Sequence, residues 1–312
     1  MQETLRRRIA ERFGGRAMFG FPMSKVTTWR VGGPAECLVH VEGVEDLRDA
    51  VSVAREHGLA ITLLGAGSNL LVRDGGIPGV AISFARGFRR LGLRREGEGR
   101  AVLWAEAGVK INTFLAFAQA GGWAGLEFLS GTPGTMGGAV AMNAGVHDRE
   151  VKDTLLAILF MDAAGELHTR AREELAFRYR GLDLPAGSVI CSADFAVTRD
   201  EPARVKERMM ELLDRRKSTQ PLTLPNAGSV FKNPPGDYAG RLIEDAGLRG
   251  ARMGGAGVSE VHANFIVNLE GARASDILGL IRLVQERVET RKGIRLETEV
   301  RVVGIDVSPE EN

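Results

Sequence analysis

Residues 125–145 read GLEFLSGTPGTMGGAVAMNAG, and the rest of the chain is interpreted around this stretch. Four glycines lie close together around Pro133: Gly131, Gly134, Gly137 and Gly138. Such density lets the backbone turn through positive φ and lets another group approach bare main chain. Apolar residues separate the glycines, which argues against a solvated linker. The stretch therefore predicts a wall for a large, flat cofactor; the alternative is a glycine–proline loop followed by a short core helix.

A second glycine-rich run, GAGSN at 65–69, follows a predicted strand at 61–64. A dinucleotide-binding fingerprint would place GxGxxG between a strand and its helix. Here Leu70 stands where the third glycine belongs and another strand follows, so the Rossmann interpretation fails. The main-chain N–H groups of the run, together with Ser68 and Asn69, can instead surround an anion such as pyrophosphate. An ordinary tight turn explains the run equally well.

The order of the predicted elements gives the domain organisation. A strand at 36–41, a helix at 44–57 and the strand at 61–64 form a β-α-β unit. Short strands, a helix at 110–120 and a hairpin at 155–169 form a second unit, and a charged helix begins the rest of the chain near Pro202. We predict three domains, whose ranges are 1–85, 86–200 and 201–312.

Composition excludes several classes of protein. The 312 residues are 44% hydrophobic and 26% charged, with 41 basic and 40 acidic residues and a net charge of +1. This balance gives no sign of a nucleic-acid partner. Two cysteines, Cys37 and Cys191, offer neither a disulfide framework nor a metal site. No apolar run reaches transmembrane length, so a cytoplasmic protein without membrane insertion is expected. We also expect a monomer.

Polar residues in the second half could carry chemistry. Ser229 precedes the apolar pair Val230–Phe231, where a hydroxyl could donate a proton, although a turn serine is the simpler interpretation. Glu299 and Arg301 are two residues apart on a predicted final strand, 296–304, so they share a face. Glu299 could act as an acid, a base or an electrostatic partner, and Arg301 as a cation beside a cofactor. A paired surface ladder is the alternative.

Further cations and polar groups flank these positions. Arg180 follows Tyr179, Lys217 ends a charged helix, and Lys232 and Asn233 follow the serine. Such groups anchor carboxylates or phosphates. None of them is specific alone, and their occurrence together with two glycine-rich segments favours an enzyme.

Eight motifs in order then identify a family. They are TTWRVGGPA, LLGAGSNLLV, the 125–145 stretch, Tyr179–Arg180, NAGSVFKNP, AGRLIEDAGLRG, HANFIVN and LETEVRVVG. Together they resemble the UDP-N-acetylenolpyruvoylglucosamine reductases (MurB) of peptidoglycan synthesis. The resemblance covers nearly the whole chain, from about residue 27 to 304. It implies an α+β protein with an FAD-binding fold of the vanillyl-alcohol-oxidase (PCMH) type in two subdomains, plus a C-terminal α+β substrate domain. FAD and NADPH are the implied cofactors, and a UDP-sugar is the implied substrate.

The resemblance also implies roles for individual residues. Ser229 matches the proton donor, and Arg180 and Glu299 match the other two catalytic positions. The pyrophosphate loop corresponds to Gly65, Ala66, Gly67, Ser68 and Asn69. The flavin-contacting segment corresponds to Gly131, Thr132, Gly134, Thr135, Gly138 and Ala139, and strand geometry adds Arg301. The substrate-holding positions correspond to Tyr179, Lys217, Lys232 and Asn233.

Two departures from the family pattern concern the surroundings of Arg180. The family usually has a serine two residues after this arginine, where this chain has Leu182, which puts the local hydrogen bonding of Arg180 in doubt. The segment 180–194 is also too short for the tyrosine-bearing loop of the longer members. The chain therefore resembles the shorter, second class.

Two other functions stay open from the sequence. An oxidase of hydroxy acids or sugar alcohols could use the same fold, but such oxidases commonly tether the flavin through histidine or cysteine. His147 is the only histidine near the second glycine-rich stretch. A nucleotide-binding or sensor module without chemistry would need the glycine-rich segments but not Ser229, Arg180 and Glu299 together.

Overall fold

The structure is a computed structural model that describes residues 1–146 and 149–307. His147 lies outside the described residues. Within them, no helix combines the length and the apolar content needed to cross a membrane. The chain divides into two compact units: the first comprises residues 1–17, 39–66 and 81–216, and the second comprises 18–38, 67–80 and 217–312.

The elements of the described residues are named in chain order. The α-helices are α1 Glu3–Phe13, α2 Val44–Glu56, α3 Ile111–Ala120, α4 Met136–Ala141, α5 Pro202–Thr219, α6 Ala239–Asp245 and α7 Ala274–Lys292. The first strands are β1 Ala17–Pro22, β2 Pro34–His40, β3 Ile61–Leu64, β4 Leu70–Val72, β5 Ile77–Ser83, β6 Leu91–Gly97, β7 Arg100–Glu106, β8 Trp123–Ala124, β9 Gly145–Val146 and β10 Arg149–Glu150. The others are β11 Leu155–Met161, β12 Leu167–Ala171, β13 Ala176–Arg178, β14 Gly181–Asp183, β15 Val189–Arg199, β16 Arg252–Met253, β17 Ala256–Val258, β18 Ile266–Asn268 and β19 Arg301–Val303.

A mostly antiparallel sheet organises the first unit. Its strand order is β12-β11-β15-β7-β6, and β8 pairs with the end of β15. Helix α3 buries the apolar face that its spacing predicts, with Phe114 fully buried beside Phe195 of β15 at a ring-centroid distance of 5.3 Å. The predicted hairpin between β11 and β12 is confirmed. Helix α4, which belongs to the 125–145 stretch, contacts β15 as well.

The N-terminal helix α1 lies against α2 in the same unit. Leu5, Ile9 and Phe13 of α1 are buried, as expected for the apolar face of an amphipathic helix. Two arginines of α1 pair with acidic residues of α2, Arg8 with Glu56 and Arg12 with Asp49, and Arg16, just after α1, pairs with Asp46. Its basic residues therefore help to dock the helix on the fold.

The core of the second unit forms around α7. The buried stripe of this helix contains Ile277, Ile281, Val284 and Val288, as its spacing predicts, and the helix ends at Gly293, whose φ is 69°. Trp29 is fully buried in this core and donates its indole N–H to the carbonyl of Ile266 at 2.7 Å. Strands β16, β17 and β18 form an antiparallel sheet, and β19 pairs in parallel with β4.

The final strand is shorter than the sequence predicts. Only Arg301–Val303 form a strand, whereas 296–304 alternates like one throughout. The N–H groups of Glu299 and Val300 both donate to the carbonyl of Val230, at 2.8 and 3.4 Å, so the ladder does not continue regularly. Glu299 therefore lies before the strand that contains Arg301, and the prediction that both residues share one strand face is wrong.

Asp74 fixes the start of α7. Its two carboxylate oxygens accept the N–H groups of Ala274 and Ser275 at 2.8 and 2.9 Å. Burial acts to raise the pKa of this carboxyl, but hydrogen bonds from Ser275 and Ala274 outweigh it, and the pKa is lowered. A carboxylate at this place also interacts favourably with the helix dipole.

We expect Asp74→Ala to destabilise the protein by about 0.5–2 kcal/mol at neutral pH, as for loss of a helix cap. Because the folded pKa lies below the unfolded one, this contribution is complete above about pH 4 and is lost as the pH falls through the folded pKa. Urea denaturation of both proteins at several pH values measures it. Glu11→Ala, which removes an exposed carboxylate from α1, serves as control. An equal stability difference at pH 7 and pH 3 would contradict the assignment.

Candidate functional site

The glycine-rich stretch of the first unit is bound to the connection between β7 and α3. The N–H of Gly137 donates to the carbonyl of Ala107 at 3.0 Å, and the N–H of Met136 donates to that of Val109 at 2.8 Å. Thr135 precedes α4, and its hydroxyl accepts the N–H of Gly138 at 3.4 Å. The stretch is therefore loop followed by a short helix, and its backbone is held in place by hydrogen bonds.

Glycine is favoured at different positions of this stretch for different physical reasons. A Cβ on Gly137 would lie 2.6 Å from the Cβ of Ala107, so this glycine permits close packing inside the unit. Gly131 and Gly134 have φ of 74° and 140°, which glycine adopts without strain. A Cβ on Gly138 would meet only the Thr135 hydroxyl, at 3.6 Å, and this residue is exposed. Gly138 therefore offers bare main chain on the surface of the unit.

The run 65–69 is divided between the two units. In the first, a Cβ on Gly65 would lie 2.7 Å from the Thr135 hydroxyl, which places Gly65 beside the glycine-rich stretch. In the second, Gly67 has a φ of 64°, and its added Cβ would lie 2.1 Å from the carbonyl oxygen of Val26. A side chain at Gly65 or Gly67 would clash with neighbouring atoms of the protein, so packing within the protein already accounts for both glycines.

Two buried polar atoms border the glycine-rich stretch. The hydroxyl of Ser130 and the Nε of Arg216 have no hydrogen-bond partner among the described residues. Another nitrogen of Arg216 donates to the hydroxyl of Thr132 at 3.2 Å, and its side chain borders Gly131. Burial lowers the pKa of this guanidinium, which nevertheless stays charged at neutral pH. Buried polar groups of this kind call for a partner, and a polar, anionic cofactor such as FAD fits.

Arg180 occupies a tight turn of the first unit. Strands β13 and β14 form a hairpin in which Arg178 pairs with Gly181, so Tyr179 and Arg180 are its two turn residues. Arg180 has a φ of 57°, a conformation that non-glycine residues adopt rarely and that is often found at functional sites. Its guanidinium carbon lies 5.0 Å from the centre of the Tyr179 ring, which is 44% exposed.

Asn143 secures the start of that turn. Its side chain is fully buried, and its amide nitrogen donates to the carbonyl of Arg178 at 3.3 Å and to Glu150 at 2.9 Å. Its amide oxygen accepts the N–H of Lys152 at 3.1 Å. Leu182, where the family usually has serine, pairs with Phe177 across the hairpin, and both pack against the core of the unit. Leu182 therefore contributes apolar packing beneath the turn.

Ser229 and Glu299 are brought together in the second unit. The N–H of Glu299 donates to the carbonyl of Val230, the residue after Ser229, at 2.8 Å. Phe231 and Thr298 form an isolated antiparallel bridge next to this bond. Ser229 and Glu299 are both partly exposed, so their side chains are accessible to a ligand.

Asn69 holds the other side of the segment that carries Glu299. Its side-chain amide donates to the carbonyl of Glu299 at 3.1 Å, and its own carbonyl accepts the N–H of Arg301 at 3.0 Å. The parallel pairing of β4 with β19 continues from this point. One N–H of this amide is thus used within the protein, and Arg301 itself is exposed.

The predicted substrate-holding residues of the second unit have partners inside it. The ammonium of Lys232 lies 3.1 Å from a carboxylate oxygen of Glu297. The side chain of Asn233 accepts the N–H of Ala239 at 3.0 Å, at the start of α6. Lys217 is exposed near the end of α5. Substrate binding through Lys232 would therefore have to compete with a surface ion pair.

The described residues also bear on whether the protein has a metal site or a reactive thiol. Across residues 1–146 and 149–307, no group of three or more His, Cys, Asp or Glu side chains is arranged to hold a metal ion. Cys37 and Cys191 are buried thiols that form no disulfide. Burial raises the pKa of the Cys191 thiol to about 12, which keeps it protonated and unreactive.

Three residues near the predicted site are not found by sequence reasoning: Arg216, Asn143 and Asn264. Arg216 lies in a run of basic residues that looks like a solvated helix face. The two asparagines belong to motifs that we quote, MNAG and HANFIVN, but an amide side chain shows no charge or periodicity. Their hydrogen-bond partners become visible only in the folded chain.

Comparison with known proteins gives matches along nearly the whole sequence. A family model described as "FAD binding domain" matches residues 35–170, and one described as "UDP-N-acetylenolpyruvoylglucosamine reductase, C-terminal domain" matches 220–303. UDP-N-acetylenolpyruvoylglucosamine reductase of Syntrophus aciditrophicus is 44% identical over 94% of this chain and 93% of its own length. The reductase of the same name from Geobacter sulfurreducens is also 44% identical, over 97% of this chain and 99% of its own length. The crystal structure of the Thermus caldophilus reductase (MurB) is 38% identical, has a TM-score of 0.78 and covers 92% of this chain and 98% of its own.

Proposed function

Because the chain belongs to the UDP-N-acetylenolpyruvoylglucosamine reductase family, we propose that it reduces UDP-N-acetylglucosamine enolpyruvate to UDP-N-acetylmuramate with NADPH as the hydride donor. This reaction provides a precursor of peptidoglycan. The observation that carries the proposal is the match to reductases of this name over more than nine-tenths of the chain. The predicted fold class, an FAD-binding fold followed by a C-terminal domain, is confirmed by the two family models and the Thermus caldophilus structure.

FAD is the cofactor that the first unit fits. Gly138 offers exposed main chain, Ser130 of the same stretch has an unpartnered hydroxyl, and Arg216, which borders Gly131 and donates to Thr132, has an unpartnered Nε. The residues proposed to hold the cofactor are those that the family resemblance and the strand geometry indicate: Gly65, Ala66, Gly67, Ser68, Asn69, Gly131, Thr132, Gly134, Thr135, Gly138, Ala139 and Arg301. When bound, FAD supplies hydride transfer from NADPH to the substrate.

The chain's own residues complete the reduction. A hydride adds to the terminal vinyl carbon, and the electron pair of the double bond moves to the carbon that bears the carboxylate. The positive charge of Arg180 stabilises the negative charge that develops there, Glu299 polarises the reacting group, and the O–H of Ser229 donates the proton that forms the second C–H bond. The serine regains its proton from solvent. Tyr179, Lys217, Lys232 and Asn233 hold the UDP-sugar.

Other expectations from the sequence extend the proposal. We place the enzyme in the cytoplasm as a monomer and assign FAD binding to 1–85 and 86–200 and substrate binding to 201–312. The alternative of a hydroxy-acid or sugar-alcohol oxidase is not favoured, because the similar proteins of high coverage are reductases.

An anaerobic titration tests the proposed function. The purified protein, supplied with FAD, should show the visible absorption bands of an oxidised flavin. We expect NADPH to bleach these bands and the UDP-enolpyruvyl sugar to restore them, with about one equivalent of each per flavin. Reduction of the flavin by a hydroxy acid or a sugar alcohol and its reoxidation by molecular oxygen, with no response to the UDP-sugar, would favour the oxidase. A protein that stays colourless after addition of FAD would contradict both.

A further inference from the structure

Asn264 is hydrogen-bonded to the segment that follows Ser229 in the second unit. Its side-chain oxygen accepts the N–H of Phe231 at 2.9 Å, and its side-chain nitrogen donates to the carbonyl of Phe231 at 2.8 Å. Its backbone carbonyl accepts the N–H of Val230 at 2.8 Å. One residue thus satisfies three polar groups of the two residues that come directly after Ser229.

Burial makes this arrangement rigid. Asn264 is 3% exposed, and Val230 and Phe231 are buried as well, so water cannot replace the amide. If the Asn264 amide were removed, the N–H and the carbonyl of Phe231 would be buried without hydrogen-bond partners. Because this is energetically costly, the backbone of the segment would shift to find new partners. The N–H of Asn264 is itself held by Nδ1 of His262 at 3.2 Å. The segment after Ser229 is therefore clamped from one side by Asn264.

Glu299 holds the same segment from the other side. The carbonyl of Val230 accepts the N–H of Glu299, while the N–H of Val230 donates to Asn264. Asn264, Val230 and Glu299 thus form a continuous hydrogen-bonded row across the backbone. A shift of Val230 would move Ser229 relative to Glu299.

We propose that Asn264 is a positioning residue that sets the place of the Ser229 hydroxyl for proton donation. The inference deepens the proposed function, because it rests on Ser229 as the proton donor of that reaction. Asn264 acts only through the backbone of residues 230 and 231. Because a misplacement of about 1 Å can lower a rate about 100-fold, loss of this clamp should be visible in the step that Ser229 performs.

Asn264→Ala tests the proposal in the full-length protein loaded with FAD. We expect FAD affinity and the rate of flavin reduction by NADPH to stay within about twofold of the unsubstituted enzyme. Flavin reoxidation by the UDP-enolpyruvyl sugar should slow by about 10- to 100-fold. The solvent deuterium isotope effect on reoxidation should rise, because proton donation becomes the slow step. If the substitution only destabilised the protein, the folded enzyme molecules would still show the normal reoxidation rate and the normal solvent isotope effect.

Asn268→Ala is the matched control. Its side chain also bonds backbone groups of the second unit, the carbonyl of Trp29 and the N–H of Ala272, and these two hydrogen bonds do not involve residues 229–231. We expect a comparable decrease in melting temperature and a normal rate and isotope effect of reoxidation. Equal slowing by both variants would overturn the positioning role of Asn264.

Combining Asn264→Ala with Ser229→Ala tests the positioning role of Asn264 separately from the proton-donor role of Ser229. If Asn264 acts through Ser229, Asn264→Ala should slow reoxidation no further in that background, because residues that act as a unit are non-additive. Fully multiplicative effects would overturn the proposal. Normal reoxidation in Ser229→Ala alone would instead overturn the assignment of Ser229, and with it this part of the proposed function.

Discussion

Replacing Ser229 by alanine is expected to leave flavin reduction by NADPH at its normal rate and to slow reoxidation by the UDP-sugar on the order of 10²–10⁴-fold. The reason is that the hydroxyl is assigned to the second half of the reaction only. Its backbone surroundings do not depend on the hydroxyl, because the neighbouring contacts of Val230 and Phe231 involve main chain and Asn264. Anaerobic stopped-flow spectroscopy follows the two halves separately.

Two further variants sharpen this test. Ser229→Thr keeps a hydroxyl and should retain more reoxidation activity than Ser229→Ala. Ser52→Ala removes a hydroxyl from the exposed side of α2, where it donates to Glu56, and should leave both halves unchanged. Should Ser229→Ala reoxidise at the normal rate, another group donates the proton.

Gly138→Ala should weaken FAD binding by about 10- to 100-fold, while the protein without FAD should be as stable as before or more so. Within the protein an added Cβ has room, since it meets only the Thr135 hydroxyl at 3.6 Å. Alanine also favours a helix over glycine by about 1 kcal/mol, and Gly138 lies in α4. If the flavin lies against this glycine, the methyl group would overpack that contact. The opposite signs of the two effects distinguish cofactor contact from folding.

Gly137→Ala provides the matched comparison one residue earlier. Its Cβ would lie 2.6 Å from the Cβ of Ala107, so we expect a loss of about 1–3 kcal/mol in the stability of the protein without FAD. Fluorescence titration with FAD and thermal denaturation without it measure both variants. Unchanged FAD affinity in Gly138→Ala would show that the flavin does not contact this residue.

Local pattern predicts much of the fold because it reports burial directly. The predicted helices at 44–57 and 110–120 and the hairpin at 155–169 are confirmed, since each depends on residues close in sequence. The family and the fold class are confirmed as well, because the ordered motifs span nearly the entire chain.

The sequence pattern does not predict the structure correctly where hydrogen bonds between distant residues determine it. Residues 296–300 alternate as a strand does, yet the N–H groups of Glu299 and Val300 both meet one carbonyl, that of Val230. The role of Asn69 as a side-chain donor toward an anion stays a prediction, but its second role, holding the carbonyl of Glu299 with one amide N–H, is not visible in the sequence. No periodicity reveals such hydrogen bonds, because they join residues that are distant in the chain.

The individual site residues stay predictions, and their physical settings differ. Ser229 and Glu299 are linked through Val230, which supports a shared role in the second unit. Arg180 occupies a strained turn that Asn143 supports within the first unit. Lys232 and Asn233 already serve the fold through Glu297 and Ala239, so substitutions there would change stability together with substrate binding.

The parallel pair of β4 and β19 has a consequence for protein synthesis. The contact between Asn69 and Glu299 joins residues 230 positions apart. At a translation rate of about 5–20 residues per second, β4 waits roughly 12–46 seconds on the ribosome before its partner strand is made. During that interval the nascent chain carries an apolar edge without its native neighbour, so chaperone contact with this region is expected until the last residues emerge.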